Sequence, residues 1–183
     1  MRHVLRRHPD SPGSAATHIE VEVARAHADN LLLSYVVTGK IGGVRMPPIG
    51  VAARSDELWR HTCFEAFVQA SPGDGYYEFN FAPSTQWAAY RFSSYRSGMV
   101  VAAEIVAPAI DVQSSADCYT LRASLALDRL SAFPRSASWR LGLSAVIEDV
   151  SGRKSFWALA HPPGNPDFHH SACFAHEFSP LRA

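Results

Sequence analysis

The sequence predicts an all-β fold, an antiparallel β-sandwich with little helix. Three observations predict it. Short runs alternate apolar and polar residues with a period of two, as half-buried strands do. Turn-forming residues separate the runs, and no segment sustains a helical period over several turns. At 183 residues the chain has the length of one domain with a proper core.

The elements follow in order. Residues 8 to 17, HPDSPGSAAT, are rich in Pro, Ser, Gly and Ala, so residues 1–17 are expected to be a flexible lead-in to a single domain over 18–183. In IEVEVA, Ile19, Val21 and Val23 alternate with Glu20 and Glu22, which predicts a half-buried strand. AHADN turns the chain into LLLSYVVTG, a more buried strand. Residues 39 to 57 contain glycines and Pro47-Pro48 and read as a long loop, a feature that is often functional in a compact domain. Two strands then flank PGDG, a hairpin signal. In the first, Thr62, Phe64, Ala66 and Val68 share one face, and Cys63, Glu65, Phe67 and Gln69 the other. In the second, Tyr77, Phe79 and Phe81 oppose Tyr76, Glu78 and Asn80. WAAYRFSSY is a further strand, with Trp87 and Arg91 on one face and Tyr90 and Phe92 on the other.

The second half repeats this pattern. Tyr119, Leu121, Ala123, Leu125 and Leu127 alternate with Thr120, Arg122 and Ser124. DRLSAF is long enough for one or two helical turns. Trp139, Leu141, Leu143, Ala145 and Ile147 form the apolar face of another strand, and Glu148 ends its opposite face. Ser151-Gly152-Arg153 turns the chain into SFWALAH, and a last strand is expected from Cys173 to Phe178.

Composition narrows the function classes. Hydrophobic residues make up 47% and charged residues 19%, an ordinary globular balance. Lys+Arg and Asp+Glu are equal at 17 each, so no broad attraction to nucleic acid or to an anionic membrane is expected. No apolar run is long enough to cross a bilayer as a helix, and the basic N-terminus has no apolar stretch behind it of the kind a secretory signal needs. Cys63, Cys118 and Cys173 are odd in number and widely spaced, without a CxxC pair, so reduced thiols and a cytoplasmic location are expected.

One feature raises a question of chemistry. Glu65 and Glu78 sit among apolar and aromatic residues, where a carboxylate is poorly hydrated and needs a partner. If the strands pair in the expected order, their faces also hold Phe67, Tyr76, Asn80, Trp87 and Arg91. Aromatic rings mixed with a few hydrogen-bonding groups suit a ligand-binding surface.

The run LWRHTCFEAFVQA…YYEFNFAPSTQWAAYRF, with LGLSAVIED, SFWALAHP and PDFHH, resembles the bacterial DOMON-like domains related to family 9 carbohydrate-binding modules, over roughly Val21 to Phe178. This resemblance implies a jelly-roll-like sandwich with a ligand site on one sheet or at its rim. It also implies a binding or electron-transfer module rather than an enzyme, with sugar or haem as ligand. Modules of this type hold a sugar between two aromatic rings and grip its hydroxyls with a carboxylate, an arginine and amides. By that analogy Glu65 is similar to the acidic residue of the corresponding strand. Trp59 or Trp87 would supply one ring and Trp157 another, with Asn80 and Arg91 as hydroxyl ligands. Glu78 is a second candidate, and Asp167 with His169 and His170 is expected to brace a loop near the sheet rim, with His169 in reach of the ligand.

The expectation is therefore a non-catalytic domain that takes a saccharide or sugar-like metabolite, with no cofactor. Two carboxylates on adjacent strands could fall at glycosidase spacing, but nothing in the sequence marks one as an acid poised beside a cleft. The alternatives are a haem or redox module with His169 as axial ligand, partnered by Met46 or Met99, and a domain that makes protein contacts through an exposed sheet face. HHxxCxxH, residues 169 to 176, has one helical spacing but lies in a segment without helical character, so no metal is expected.

Overall fold

The structure, a computed structural model, describes residues 1–27, 30–130 and 138–178. Thirteen strands occur among them: β1 (Arg2–Val4), β2 (Arg6–Arg7), β3 (Ala16–His27), β4 (Asn30–Gly39), β5 (Cys63–Ser71), β6 (Tyr76–Phe81), β7 (Trp87–Phe92), β8 (Val100–Val101), β9 (Ala109–Ser114), β10 (Cys118–Ala126), β11 (Ser138–Glu148), β12 (Lys154–Ala158) and β13 (His176–Phe178). They form two antiparallel sheets, as the alternation predicts. One runs β1-β3-β4-β10-β9. The other runs β2-β12-β11-β5-β6-β7-β8, with β13 paired to β11 beside β12.

The period of two decides what each sheet buries. Ile19, Val21, Val23, Leu31, Leu33, Tyr35 and Val37 of the smaller sheet meet Phe64, Ala66, Val68, Tyr77, Phe79, Phe81, Leu141 and Leu143 of the larger one in a continuous inter-sheet core. Trp139 lies in this core, in line with its alternation. The larger sheet also has an unusual second side. Its outer face is covered by chain segments that build a separate apolar cluster with Cys63, Phe67, Tyr76, Tyr90, Phe92, Val146 and Phe174. This explains why β5 and β6 read as apolar on both faces.

Several elements differ from expectation. Residues 1–17, expected as a flexible lead-in, contribute β1 to the smaller sheet and β2 to the larger one, and Leu5 between them is buried. The 39–57 segment holds a short 3-10 turn, Ile41–Gly43, and bridges to β7 through Arg54 and Trp87. Leu127–Arg129 forms a 3-10 turn, while residues 131–133 of the expected helical turn lie outside the described residues, as do residues 28 and 29 of the AHADN turn. The last expected strand begins as the 3-10 turn Ser171–Cys173, and only His176–Phe178 is strand.

Candidate functional site

The outer face of the larger sheet carries a cavity of about 480 Å³. Its floor is made by strand positions of one parity. Glu65 of β5 pairs with Ser144 of β11 on one side and Asn80 of β6 on the other. Glu78 pairs with Phe67 of β5 and Tyr90 of β7. All these side chains point away from the inter-sheet core because their neighbours at i±1 point into it.

Three segments raise walls on that floor. The first runs through the 3-10 turn Leu58–Arg60, entered by Glu57 in the left-handed region at φ 61°. Tyr90 donates a 2.6 Å hydrogen bond to Asp56 and meets Trp59 edge-on at 5.9 Å, which sets the indole at the cavity rim. The second is the 93–99 turn, which brings in Arg96 and Met99. The third is residues 161–174, which supply Pro166, Phe168 and His169. Phe174 anchors this last segment by stacking on Phe67 at 5.7 Å directly over Gly142, where no Cβ stands in the way.

Asp167 clasps the second and third walls together. One of its oxygens accepts from Arg96 Nη2 at 2.7 Å, Arg96 Nε at 3.2 Å and the His169 backbone N–H at 3.1 Å. The other accepts from the Tyr95 hydroxyl. The Tyr76 hydroxyl accepts the Arg96 backbone N–H at 3.1 Å and lies 2.9 Å from His169 Nδ1. The other ring nitrogen of His169, Nε2, faces Glu78 at 3.7 Å.

The electrostatics follow from burial. Burial pushes the Glu65 carboxyl well above the usual range, the nearby Glu78 charge adds to this, and the hydroxyl that Ser144 donates at 3.2 Å opposes it. Burial raises Glu78 to about 7 against the opposing amide of Asn80, which donates to it at 2.7 Å. His169 is driven down to about 4 by burial, with the Arg96 charge adding to the effect. At neutral pH the cavity therefore holds a neutral imidazole and a pair of carboxyls short of full ionisation.

Of the expected site residues, Trp59, Glu65, Glu78 and His169 line this one cavity. Asn80 is on the same face but fully buried, hydrogen-bonded to Glu78 and contacted by the Cys63 thiol at 3.5 Å. It positions Glu78 and does not border the cavity. Trp87, Arg91 and Trp157 are elsewhere. In β7 Tyr90 registers with Glu78 and Ala88 with Asn80, so Trp87 and Arg91 point to the other side of the sheet. Trp87 packs in the inter-sheet core with the Arg54 guanidinium 4.6 Å above its ring. Arg91 is exposed, 4.0 Å from Glu104. Trp157 is in the core, its indole N–H donating to Ser155 at 3.0 Å. Met46 packs against the inter-sheet core, whereas Met99 borders the cavity.

Phe92, Arg96, Val146, Phe156, Pro166 and Phe168 also line the cavity without being marked by the sequence, and Met99 is marked only as an alternative haem ligand. The parity of β11 and β12 does signal Val146 and Phe156, since each alternates against a core residue. Arg96, Met99 and Phe168 lie in loops without periodicity. Among the described residues, no group of three or more His, Cys, Asp or Glu side chains converges as a metal site would.

No protein-family model and no curated protein matches the chain. Solved structures do. A crystallised protein from Bacteroides uniformis ATCC 8492, provisionally named as carbohydrate-binding, matches with a TM-score of 0.67 and 12% identity over 94% of this chain and 83% of its own. A family 9 carbohydrate-binding module from Caldicellulosiruptor kristjanssonii, in complex with cellotriose, matches with a TM-score of 0.51 and 13% identity over 90% of this chain and 75% of its own. The fold of this chain is that of a β-sandwich like the family 9 carbohydrate-binding modules.

Proposed function

We propose that the cavity on the outer face of the larger sheet binds a small saccharide or sugar-like metabolite without transforming it. The observation that carries this reading is the meeting, in one 480 Å³ space, of buried hydrogen-bonding groups and aromatic walls. Glu65, Glu78 and His169 offer donors and acceptors to hydroxyls, and Trp59 offers a ring to a sugar's C–H face. The volume lies within the range of small-ligand pockets, roughly 300–1,000 Å³. That a structural neighbour holds cellotriose supports the choice of saccharide. The motifs around Glu65, Glu78 and His169 support placing the chain among DOMON-like relatives of these modules.

The test is a thermal-shift panel of mono- and disaccharides followed by calorimetry. A sugar at about a hundredfold excess over its dissociation constant stabilises the native state by about 2.7 kcal/mol, which raises the melting temperature by several degrees. Trp59→Ala should weaken that sugar about tenfold, consistent with loss of an aromatic contact, and should lower the melting temperature of the free protein by a few degrees, because the indole also packs on Tyr90. A panel that moves nothing at millimolar concentration refutes the reading.

A further inference from the structure

The floor of the cavity holds two carboxyls that no Lys or Arg among the described residues contacts. Glu65 and Glu78 occupy diagonal positions on neighbouring strands and are only 3% and 4% exposed. Their hydrogen-bonding partners are neutral: the Ser144 hydroxyl and the Asn80 amide, with the His169 ring 3.7 Å from Glu78. Among the described residues no Lys or Arg approaches either carboxyl within 4.0 Å, the reach of an ion pair. Arg96, the guanidinium that borders the cavity, is held instead by Asp167 at 2.7 and 3.2 Å. Three carboxyls thus face one guanidinium, and two of the three open onto the cavity.

A buried carboxyl pair with no cation in contact is costly to ionise, and here the Arg96 charge acts on the pair only from beyond ion-pair reach, at the place where a ligand would sit. The walls point the same way. Trp59, Phe92, Phe156 and Phe168 surround the space, and the negative faces of aromatic rings attract a cation that has shed its water. A bare metal ion would call for three or more converging ligands, and no such group exists among the described residues. An organic ammonium needs only the two carboxyls below and the rings around it.

We infer that the ligand of this cavity carries a protonated amine that sits between Glu65 and Glu78, so that, on the saccharide reading on which this rests, the preferred substrate class is the amino sugars. The ammonium donates up to three hydrogen bonds to the carboxyl oxygens that Ser144 and Asn80 leave open. The sugar ring lies against Trp59.

Calorimetry on the full chain at pH 7 tests this with D-glucosamine, D-galactosamine and D-mannosamine against their parent hexoses and their N-acetyl forms. At least one amino sugar should bind ten or more times tighter than its parent, and N-acetylation, which removes the charge, should return affinity to the parent's level. Glu65→Gln and Glu78→Gln should each bring the amine-to-parent ratio down to within threefold of unity. If these variants fold poorly, the wild-type comparison with the N-acetyl forms remains decisive. Parent hexoses that bind as tightly as the amino sugars would overturn the ammonium site and leave the saccharide reading standing. Cyclohexylamine, which has a charged amine and no hydroxyls, separates the reverse case. If it binds where every sugar fails, the ammonium site is upheld and the saccharide reading falls. Silence from every probe overturns both.

Discussion

Glu78 and His169 face each other at 3.7 Å, and burial moves them in opposite directions. Glu78 rises from an ordinary value of 4.5 to about 7. Between those values the folded chain holds a proton that the unfolded chain has released, so this group lowers stability as pH climbs through the window. His169 falls from 6.5 to about 4. Between those values the unfolded chain takes up a proton that the folded one refuses, so this group raises stability as pH climbs. Each effect is about 3 kcal/mol at full extent, and in the native protein they offset one another. Single substitutions should separate them. Relative to wild type, Glu78→Gln should gain stability between pH 5 and pH 7, and His169→Asn should lose it. Urea denaturation at the two pH values measures both. Variants whose stability differences from wild type do not change with pH would show that these groups are solvated rather than buried.

At the scale of elements, the cavity depends on how residues 161–174 lie on the sheet. The contact is set by one glycine. A Cβ at position 142 would stand 2.6 Å from Phe174 Cδ1 and 3.3 Å from the Cys173 carbonyl oxygen. Gly142→Ala must therefore displace the Phe174 ring from Phe67, at a cost of about 1–3 kcal/mol for an overpacked site. Because Phe168 and His169 ride on the same segment, ligand affinity should fall along with the melting temperature. Calorimetry and a thermal melt on this variant test the point, and an unchanged affinity would mean the segment is held by Asp167 alone. This dependence also explains what was legible in the sequence. Alternation within β6 assigns Glu78 and Asn80 to a common face, and the pairing of Glu65 with Asn80 brings Glu65 onto it. It cannot say which residues of the next strand join them, since a shift of one residue flips every side chain. The alternation of β7 alone allows Trp87 and Arg91 beside the acids, and the register gives that place to Ala88 and Tyr90. The loop residues Arg96 and Phe168 reach the cavity through the Asp167 clasp and the Phe174 anchor, contacts between segments about seventy and about a hundred residues apart that no local pattern encodes. The short β8 and the N-terminal strands have too few residues for a period to register.

At the scale of the whole molecule, the N-terminal segment ties the two sheets together. Arg2–Val4 pair with Glu20–Glu22 in the smaller sheet, and Arg6 and Arg7 pair with Ala158 and Trp157 in the larger one. Further on, the backbone N–H of His8 donates to the Phe156 carbonyl at 2.8 Å, which fixes the strand that presents Phe156 to the cavity. Leu5 lies at the crossing point, 2% exposed, with its own backbone N–H donating to Ile19 at 2.9 Å. A Pro- and Gly-rich composition lowers the propensity of residues 8–17 to form structure by themselves, yet the open edges of β3 and β12 offer unpaired backbone groups that residues 2–7 satisfy. Leu5→Ala should therefore behave as a core truncation and cost about 2–5 kcal/mol. A side chain on a detached lead-in would cost within about 0.5 kcal/mol. The two outcomes are well separated in a urea titration. Loss of the crossing should also release β2 from β12 and loosen Phe156, so the Leu5→Ala variant should bind its sugar more weakly although the substitution lies on the core side of the sheet. A variant with wild-type stability would return the N-terminus to the role of a tether, and one destabilised with wild-type affinity would show that β12 holds the cavity wall without it.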